Sequence, residues 1–478
     1  MAVTTLRQRL DTWFDLTSRG STVARECRGG VVTFAAMAYI LVLNPLILGT
    51  VRDRDGDLIG AAPDQATAIA LVMAATAFIA GVLSIIMGVA GRLPMAVAAG
   101  LGLNSFIALT LVPTMTWRDA MGLVVLEGLV ILALVLTGLR RVVYRAVPAP
   151  LRYSMGAGIG LFIAFVGLTN AGFVQVNGPQ ITMGDDGRIL GWPLAVFVVG
   201  LLLMIALVAR RVTGAILIGI VATTVLAVAV EAVVGLGPSD ADHPTGWSLT
   251  VPRIPEQPLA TPDLSLIGQF DLLGAFSAVG VVAALVALFS LVLPDFFDTL
   301  GTAFALADEA GIVADDGDIP HLQSILVVDS LAAGAGGACS VSSNTTYVES
   351  ATGIADGART GIAALVTGVL MLMAMFLAPV VAIIPFEAAA PALVIVGYLM
   401  LTQIRSIDFL DIGQSLPAFF TMIVMPFTMS LTNGIGAGFI VYVVVAAAQG
   451  RARSVPWPTW LVAGIFVLYF LIPTFQLM

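Results

Sequence analysis

The sequence has no lysine: all 21 of its basic residues are arginine, against 30 acidic residues in 478. It also has only two cysteines, Cys27 and Cys339, far apart and in no C-x-x-C spacing, so neither a disulfide framework nor a zinc site is indicated. The net charge of −9 disfavours nucleic-acid binding. The first 30 residues lack an apolar core followed by a small-residue cleavage site, which predicts no cleaved signal peptide.

Apolar residues are what the chain has in abundance. The hydrophobic share is 59%, the charged share is 11% and the mean hydropathy is +1.02, values that predict a polytopic membrane protein. About 20 apolar residues cross a bilayer as a helix. By that measure the predicted spans before the polar loop 236–268 are 31–50, 65–90, 94–112, 120–139, 149–171, 191–209 and 213–235. Those after it are 276–306, 320–337, 338–355, 360–383, 389–404, 415–431 and 433–449.

Seven spans on each side of one loop predict an all-α fold of about 14 spans arranged as a 7+7 inverted repeat, the pattern of many transporters. The repeats are residues 1–235 and 269–478, joined by an extracellular linker, 236–268. Segment 457–476 contains prolines and is either an extra span or a surface helix. Cytoplasmic loops are rich in arginine, and a cytoplasmic N-terminus puts 16 arginines inside and five outside, namely Arg52, Arg54, Arg118, Arg188 and Arg253.

Two spans are interrupted by small residues at equivalent places in the two halves. The third contains residues 91–110, GRLPMAVAAGLGLNSFIALT, and the tenth contains residues 334–353, GAGGACSVSSNTTYVESATG. We predict that each runs extended for a few residues and then starts a half-helix whose free N–H groups point to the middle of the membrane. The alternative is that the glycines only allow close helix packing.

Five acidic residues and no basic ones fall well inside the predicted spans. An ionisable group at this depth is costly and indicates function. These five carboxylates favour the binding of protons, cations or a neutral ligand rich in N–H donors over the binding of an unpaired anion. Its members are Glu127, Asp295, Asp298, Asp329 and Glu349.

The eighth and tenth spans carry the strongest candidates. After Pro294, which we expect to kink the helix, Asp295 and Asp298 lie on one face with two threonines; a structural network between helices is the alternative. Thr346 and its neighbours supply polar partners around Glu349, whose carboxylate can accept the parallel N–H bonds of a purine or pyrimidine edge.

The remaining candidates are less specific. Glu127 and Asp329 stand without an adjacent polar run, so each is either a helix-packing residue or part of a proton path. Phe106 follows Asn104 and could stack on a planar ligand, although a phenylalanine in a membrane helix more often faces lipid or core.

Five ordered blocks resemble the nucleobase–cation symporter family, within the nucleobase–ascorbate transporter superfamily, and in particular its AzgA-like purine permeases. The likeness covers nearly the whole chain. The blocks are GSTVARECRGGVVTFAAMAYILVLNPLIL (20–48), AAGLGLNSF (98–106), LRYSMGAGIGLFIAFVGLTNAG (151–172), DFFDTLGT (295–302) and NTTYVESATGIADGARTG (344–361).

The resemblance implies an elevator mechanism. A core domain of about 20–145 and 270–383 would move against a gate domain of about 146–235 and 384–478. The base would lie between spans three, eight and ten. The protein would be a homodimer in the cell membrane and would import the base.

The resemblance also implies roles for particular residues. Asp295 and Glu349 would hold the base, with Asn104 and Phe106 on the third-span side and the backbone around Val348 adding hydrogen bonds. Asp298 would be supporting or proton-linked, and which of the two aspartates contacts the base stays open.

The function that follows is a proton-coupled importer of adenine, guanine or hypoxanthine, with no enzyme activity and no cofactor. A uracil or xanthine permease and a sodium-coupled carrier are the alternatives. An anion carrier of similar architecture fits the midplane acids poorly. An intramembrane aspartyl protease would need its two aspartates on separate helices.

Overall fold

The computed structural model describes residues 11–139, 147–177, 180–184, 187–239, 245–255, 257–313 and 319–476. The helices of the first half are α1 Val23–Met37, α2 Ile40–Leu48, α3 Gln65–Gly91, α4 Leu101–Phe106, α5 Trp117–Leu136, α6 Ala149–Asn170, α7 Trp192–Ala209 and α8 Ala215–Val234. Those of the second half are α9 Gly274–Val279, α10 Val281–Glu309, α11 Leu322–Ala338, α12 Ser350–Ala355, α13 Gly361–Ala374, α14 Ala378–Val381, α15 Phe386–Leu401, α16 Ile412–Phe427, α17 Leu431–Ala448 and α18 Trp457–Gln476.

The predicted fold class is confirmed. Among the described residues, ten helical segments are long and apolar enough to cross a membrane. The shorter helices α11 and α16 and the two interrupted spans bring the order to the predicted 14. The interrupted spans contain the strands β1 Val97–Ala99 and β4 Asn344–Thr346, while β2 Val174–Asn177 and β3 Gln180–Met183 form a separate hairpin.

Local signals explain where several helices begin. The Thr22 side chain caps α1, and Asp64 caps α3 by accepting from Thr67 N at 2.9 Å. Because of its cap, the first span begins at Val23, eight residues before the predicted start at 31. Helix α10 continues from Val281 to Glu309 through Pro294, so the expected kink does not divide it.

The helices pack in two groups. The first contains α1 to α5 and α11 to α14, with α3 against α13 and α5 against α11. The second contains α6 to α8 and α15 to α17, with α6 against both α15 and α16. Helix α10 contacts α5, α6, α12, β4 and α17, so it lies where the two groups meet.

The described helices bury further acidic groups that the sequence did not single out. Glu26, Glu231 and Glu387 lie in apolar helical segments and are 0%, 8% and 3% exposed. Each stands near a helix end, where loop groups donate to it: Glu26, for example, accepts from Arg359 N at 2.8 Å and Thr360 N at 3.1 Å. Carboxylates near helix ends accept hydrogen bonds from backbone N–H groups. The prediction from the sequence did not include this role.

Helix α18 packs along α17 with one of its faces. The Phe466 ring stacks on Phe439, with centroids 6.2 Å apart, and Phe470 lies one turn further along against Gly436. The two helices therefore run antiparallel, which argues against a helix lying flat across the end of the bundle. Five arginines of the predicted cytoplasmic set, Arg7, Arg9, Arg140, Arg141 and Arg145, lie outside the described residues.

Candidate functional site

The two interrupted spans meet in the middle of the bundle. Strands β1 and β4 pair antiparallel, with Val97 opposite Thr346 and Ala99 opposite Asn344. Backbone bonds extend the pair at both ends, from Gly100 N to Ser343 O at 2.9 Å and from Tyr347 N to Ala96 O at 2.9 Å. The prediction of a short strand followed by a half-helix in each half is confirmed.

A half-helix follows each strand after a short connection. Helix α4 begins after Gly100 and α12 begins after Glu349. The first N–H groups of a helix have no partner within it, and the positive end of the helix dipole lies there. Both half-helices therefore direct hydrogen-bond donors toward the place where the strands cross.

A cavity of about 1250 Å³ lies beside this crossing, between α10 on one side and α6 and α15 on the other. Pockets for small ligands commonly have about 300–1,000 Å³, so a planar heterocycle fits with room to spare. From the crossing, residues 100–103 and 345–349 reach the cavity.

The structure brings five of the predicted site residues together on this cavity: Asp295, Asp298, Thr346, Val348 and Glu349. The Val348 side chain is 57% exposed, whereas Asp295 is 2% exposed and lines the deep end. Among the described residues, neither Asp295 oxygen has a hydrogen bond of ordinary geometry. Buried polar atoms are rarely left in this state, so an N–H donor of a ligand would be stabilised there.

Asn104 and Phe106 differ from the expectation, because neither lines the cavity and both are 0% exposed. Asn104 Nδ2 donates to Asn44 Oδ1 at 2.6 Å, and Asn44 Nδ2 donates to Thr76 at 2.8 Å. Helix α4 turns residues 100–103 to the cavity, and its next turn faces the interior. Asn104 thus ties the half-helix to the first two spans.

Other aromatic residues take the position expected of Phe106. Tyr39, Phe297, Phe304 and Tyr347 line the cavity. Sequence reasoning missed Tyr39, whose hydroxyl donates to Glu349 Oε1. A tyrosine in a buried apolar run generally needs a hydrogen-bond partner, and that was the available signal.

Asp329 lies behind the cavity wall and holds it together. Its carboxylate accepts from Thr299 Oγ1 at 2.6 Å, from Thr346 N at 2.8 Å and from Thr346 Oγ1 at 2.9 Å. One carboxylate on α11 therefore fixes strand β4 to helix α10. Its satisfied oxygens favour the helix-packing interpretation of Asp329.

Glu127 is 0% exposed on α5, where its carboxylate lies next to the Ser343 hydroxyl. It is close enough to Asp329 and Asp295 for their charges to interact. The three carboxylates come from three different helices. Asp295 alone of the three lines the cavity, so it connects the cavity to the buried pair.

Residues 25–436 match the model of the permease family named for xanthine and uracil permeases. The chain belongs to the xanthine/uracil permease family. It is 35% identical to the adenine permease AdeQ of Escherichia coli K12, over 95% of this chain and 94% of the relative. It is 34% identical to the guanine/hypoxanthine permease PbuG of Bacillus subtilis 168, over 97% and 99%.

Solved structures share the fold of this xanthine/uracil permease family member. The transmembrane domain of the cyanobacterial bicarbonate transporter BicA superimposes with a TM-score of 0.61 at 14% identity, over 87% of this chain and 97% of that one. SLC26A9 gives a TM-score of 0.59 at 12% identity, over 89% and 66%. At these identities the likeness shows the fold alone.

Among the residues that the structure describes, one basic residue reaches the cavity of this permease. Arg152 stands in the first turn of α6, and its guanidinium carbon is 5.4 Å from the centroid of the Phe297 ring on α10. The predicted fifth span, 149–171, starts at the same residue as α6, so Arg152 lies in its first turn as the prediction has it. Arg152 therefore adds one positive charge at the end of a span, which agrees with the prediction that no basic residue falls well inside the spans.

Proposed function

We propose that this protein is a secondary active transporter that imports purine nucleobases across the cell membrane by proton symport. One observation carries the proposal: half-helix donors and the carboxylates Asp295, Asp298 and Glu349 converge on one cavity. The names of the adenine and guanine/hypoxanthine permeases, which match over nearly their full length, support purines as the substrate class.

The chemistry of the cavity complements a nucleobase. A purine presents ring N–H groups, which a carboxylate accepts, beside ring nitrogens and carbonyl oxygens, which backbone N–H groups bind. Its two flat faces are apolar and suit the aromatic residues Tyr39, Phe297 and Tyr347. Glu349 and Asp295 would hold the N–H edge, and the backbone at Val348 would donate to the acceptors.

A neutral base accumulates against its gradient only if an ion moves with it. Carboxylates inside a membrane are the usual carriers of a coupled proton. Asp295, Asp298 and Glu349 on the cavity, with Glu127 behind it, are the residues we assign to the proton path, whereas Asp329 holds the cavity wall. Sodium coupling is the alternative that the same side chains would allow.

An elevator motion fits the packing of the helices. The proposed core, about 20–145 and 270–383, contains both half-helices and α10, while the proposed gate, about 146–235 and 384–478, contains α6 and α15. The cavity lies between the two. Its wall includes Leu322, next to His321, and His321 lies near Arg19 and Arg92. With the N-terminus in the cytoplasm, this part of the wall would lie on the cytoplasmic side, so the cavity would open inward. A homodimer would hold the two gate domains still.

The test is uptake of labelled adenine, hypoxanthine, guanine, xanthine and uracil by cells that lack their own nucleobase permeases. We expect purine accumulation that a protonophore abolishes and that needs no sodium. Uptake of only uracil or xanthine, or a sodium requirement, would select the corresponding alternative.

The variants Glu349→Gln and Asp295→Asn test the site. Each variant keeps the shape of the side chain but removes its negative charge. We therefore expect uptake to fall at least about 100-fold, whereas the loss of one weak contact worth about 1.4 kcal/mol would reduce uptake about tenfold. Membrane levels measured by immunoblot should stay normal. Normal uptake by both variants would remove these residues from the binding site.

A further inference from the structure

The hydroxyl of Tyr39 bonds to the carboxylate that the proposed function puts on the substrate. Tyr39 is 1% exposed and lies at the break between α1 and α2, where it precedes Ile40. Its hydroxyl donates to Glu349 Oε1. The first span thereby contacts the start of half-helix α12, 310 residues further along the chain.

The half-helix itself does not hold the Glu349 side chain. Glu349 is the N-cap of α12 with helical backbone angles, φ −59° and ψ −16°, and its carboxylate makes no capping hydrogen bond. Among the described residues, Tyr39 is the side chain that donates to it. Without this bond, rotation about the side-chain torsions of Glu349 would be limited only by packing.

A second tyrosine holds Tyr39 in place. The Tyr347 ring centroid is 6.4 Å from that of Tyr39, and the two hydroxyls are neighbours. The Tyr347 hydroxyl donates to Ala99 O on strand β1 at 3.0 Å. The Tyr39 hydroxyl therefore donates to Glu349, while the Tyr347 hydroxyl donates to strand β1.

We propose that Tyr39 is a positioning residue, which orients the Glu349 carboxylate toward the nucleobase. This inference rests on the proposed function. A carboxylate that already accepts one O–H bond is fixed before the ligand arrives, so less conformational entropy is lost on binding. The other carboxylate oxygen, Oε2, then accepts the N–H of the base.

The ionisable groups that face Glu349 come from three elements. They are Tyr39 beside α2, Tyr347 after β4 and Asp298 on α10. Of these, Asp298 opposes ionisation of Glu349 by its charge, and the Tyr39 hydroxyl supports it. Removing the Tyr39 hydroxyl should therefore require a higher pH for the same fraction of ionised Glu349.

The decisive variant is Tyr39→Phe, which keeps the ring and removes the donor. In purified protein we expect the Kd for the preferred purine to rise about tenfold, equivalent to about 1.4 kcal/mol. The acid side of the binding-versus-pH curve should move to higher pH. Tyr398→Phe, a 55% exposed tyrosine on α15 away from the cavity, is the matched control and should change neither value.

A double-mutant comparison separates positioning from a general structural role. If Tyr39 acts through Glu349, adding Tyr39→Phe to Glu349→Gln should change binding less than twofold, because the acceptor charge is already gone. An equal loss in both backgrounds would overturn the proposal. So would wild-type affinity with an unmoved pH curve in Tyr39→Phe.

A second substitution covers the case in which Tyr39→Phe does not fold. Tyr39→His keeps a ring and an N–H donor, and it should bind within about fivefold of the wild type, a difference below 1.4 kcal/mol. If Tyr39→His binds purine as weakly as Glu349→Gln, the donor role is contradicted. A wild-type protein that binds no nucleobase at all would instead refute the proposed function, and this inference with it.

Discussion

Glu127 and Asp329 show how two buried carboxylates with similar sequence surroundings take different positions. Asp329 accepts three hydrogen bonds, two of them from Thr346. Glu127 has the Ser343 hydroxyl beside it and lies near Asp295, which lines the cavity. The structure thus separates a carboxylate that is bonded within the cavity wall from one that lies beside a cavity-lining carboxylate.

We predict that Glu127→Gln uncouples transport without removing the substrate site. Glu127 does not line the cavity, so the variant should still exchange internal for external purine at close to the wild-type rate. Accumulation driven by a pH gradient should fall at least about tenfold, which corresponds to a free energy of about 1.4 kcal/mol. Proteoliposomes that are assayed for both exchange and accumulation make the measurement.

Asp308→Asn is the matched control for Glu127→Gln, because Asp308 is exposed at the far end of α10. It should leave exchange and accumulation unchanged. Full accumulation by Glu127→Gln would exclude Glu127 from the proton path, and loss of exchange together with accumulation would indicate a structural role.

His321, the N-cap residue of α11, gives a prediction for the pH dependence of stability. Partial desolvation lowers the pKa of His321, and the charges of Arg92 and Arg19 lower it further, against an opposing effect of Asp15. The unfolded chain therefore binds this proton more readily than the folded protein. The contribution of neutral His321 to stability is complete above the ordinary histidine pKa of about 6.5 and is lost as the pH falls.

We expect the Tm of the detergent-solubilised protein to fall between about pH 7.5 and about pH 5.5, on either side of the histidine pKa. His321→Asn should reduce that fall, because asparagine does not titrate. Asparagine also tolerates the left-handed backbone at this position, φ 60°. Equal Tm values at about pH 8, above the titration, are the internal control; an unchanged pH dependence would contradict the assignment.

At the scale of elements, the interrupted spans could be predicted and their pairing could not. Glycine and serine in an apolar run, followed by Glu349, indicated a strand and a half-helix because irregular backbone at this depth must line a cavity. The register that puts Ala98 opposite Thr345 joins residues from opposite halves of the chain. Periodicity within one segment contains no information about such a pair.

The same limit explains the misplaced residues. Asn104 follows the cavity-lining residues of α4 by one position, and the rotation of a half-helix about its axis depends on its neighbours. Tyr39 contacts Glu349 across 310 residues. Both assignments need the packed bundle and are not contained in the local pattern.

Close helix packing gives a prediction at this scale. Gly397 on α15 lies against the backbone of Gly160 on α6, so a side chain at either position would push the two helices apart. We expect Gly397→Val to cost about 1–3 kcal/mol of stability, as overpacking does. Thermal unfolding in detergent measures the loss.

Gly464→Ala on α18 is the control for that variant, since no atom lies within 4 Å of the added Cβ. It should be neutral or slightly stabilising, because alanine favours helix over glycine. A Gly397→Val protein as stable as the control would show that the α6–α15 contact can relax without cost.

At the scale of the whole molecule, hydropathy alone predicted the order of 14 spans and the inverted repeat. Each bilayer crossing requires its own apolar segment, so the number of spans can be read from local segments of the sequence. The helix α18 could not be decided in this way, because its place along α17 depends on the Phe466 and Phe439 rings. The two packing groups likewise join segments from both halves.

We propose that purine and proton cross together through the cavity beside Glu349. Purified protein in liposomes that contain a pH-sensitive dye tests this proposal. We predict that adding purine outside acidifies the interior at a rate that follows purine uptake, and that Glu349→Gln abolishes both signals. Purine uptake without acidification, or acidification that persists in Glu349→Gln, would contradict the account.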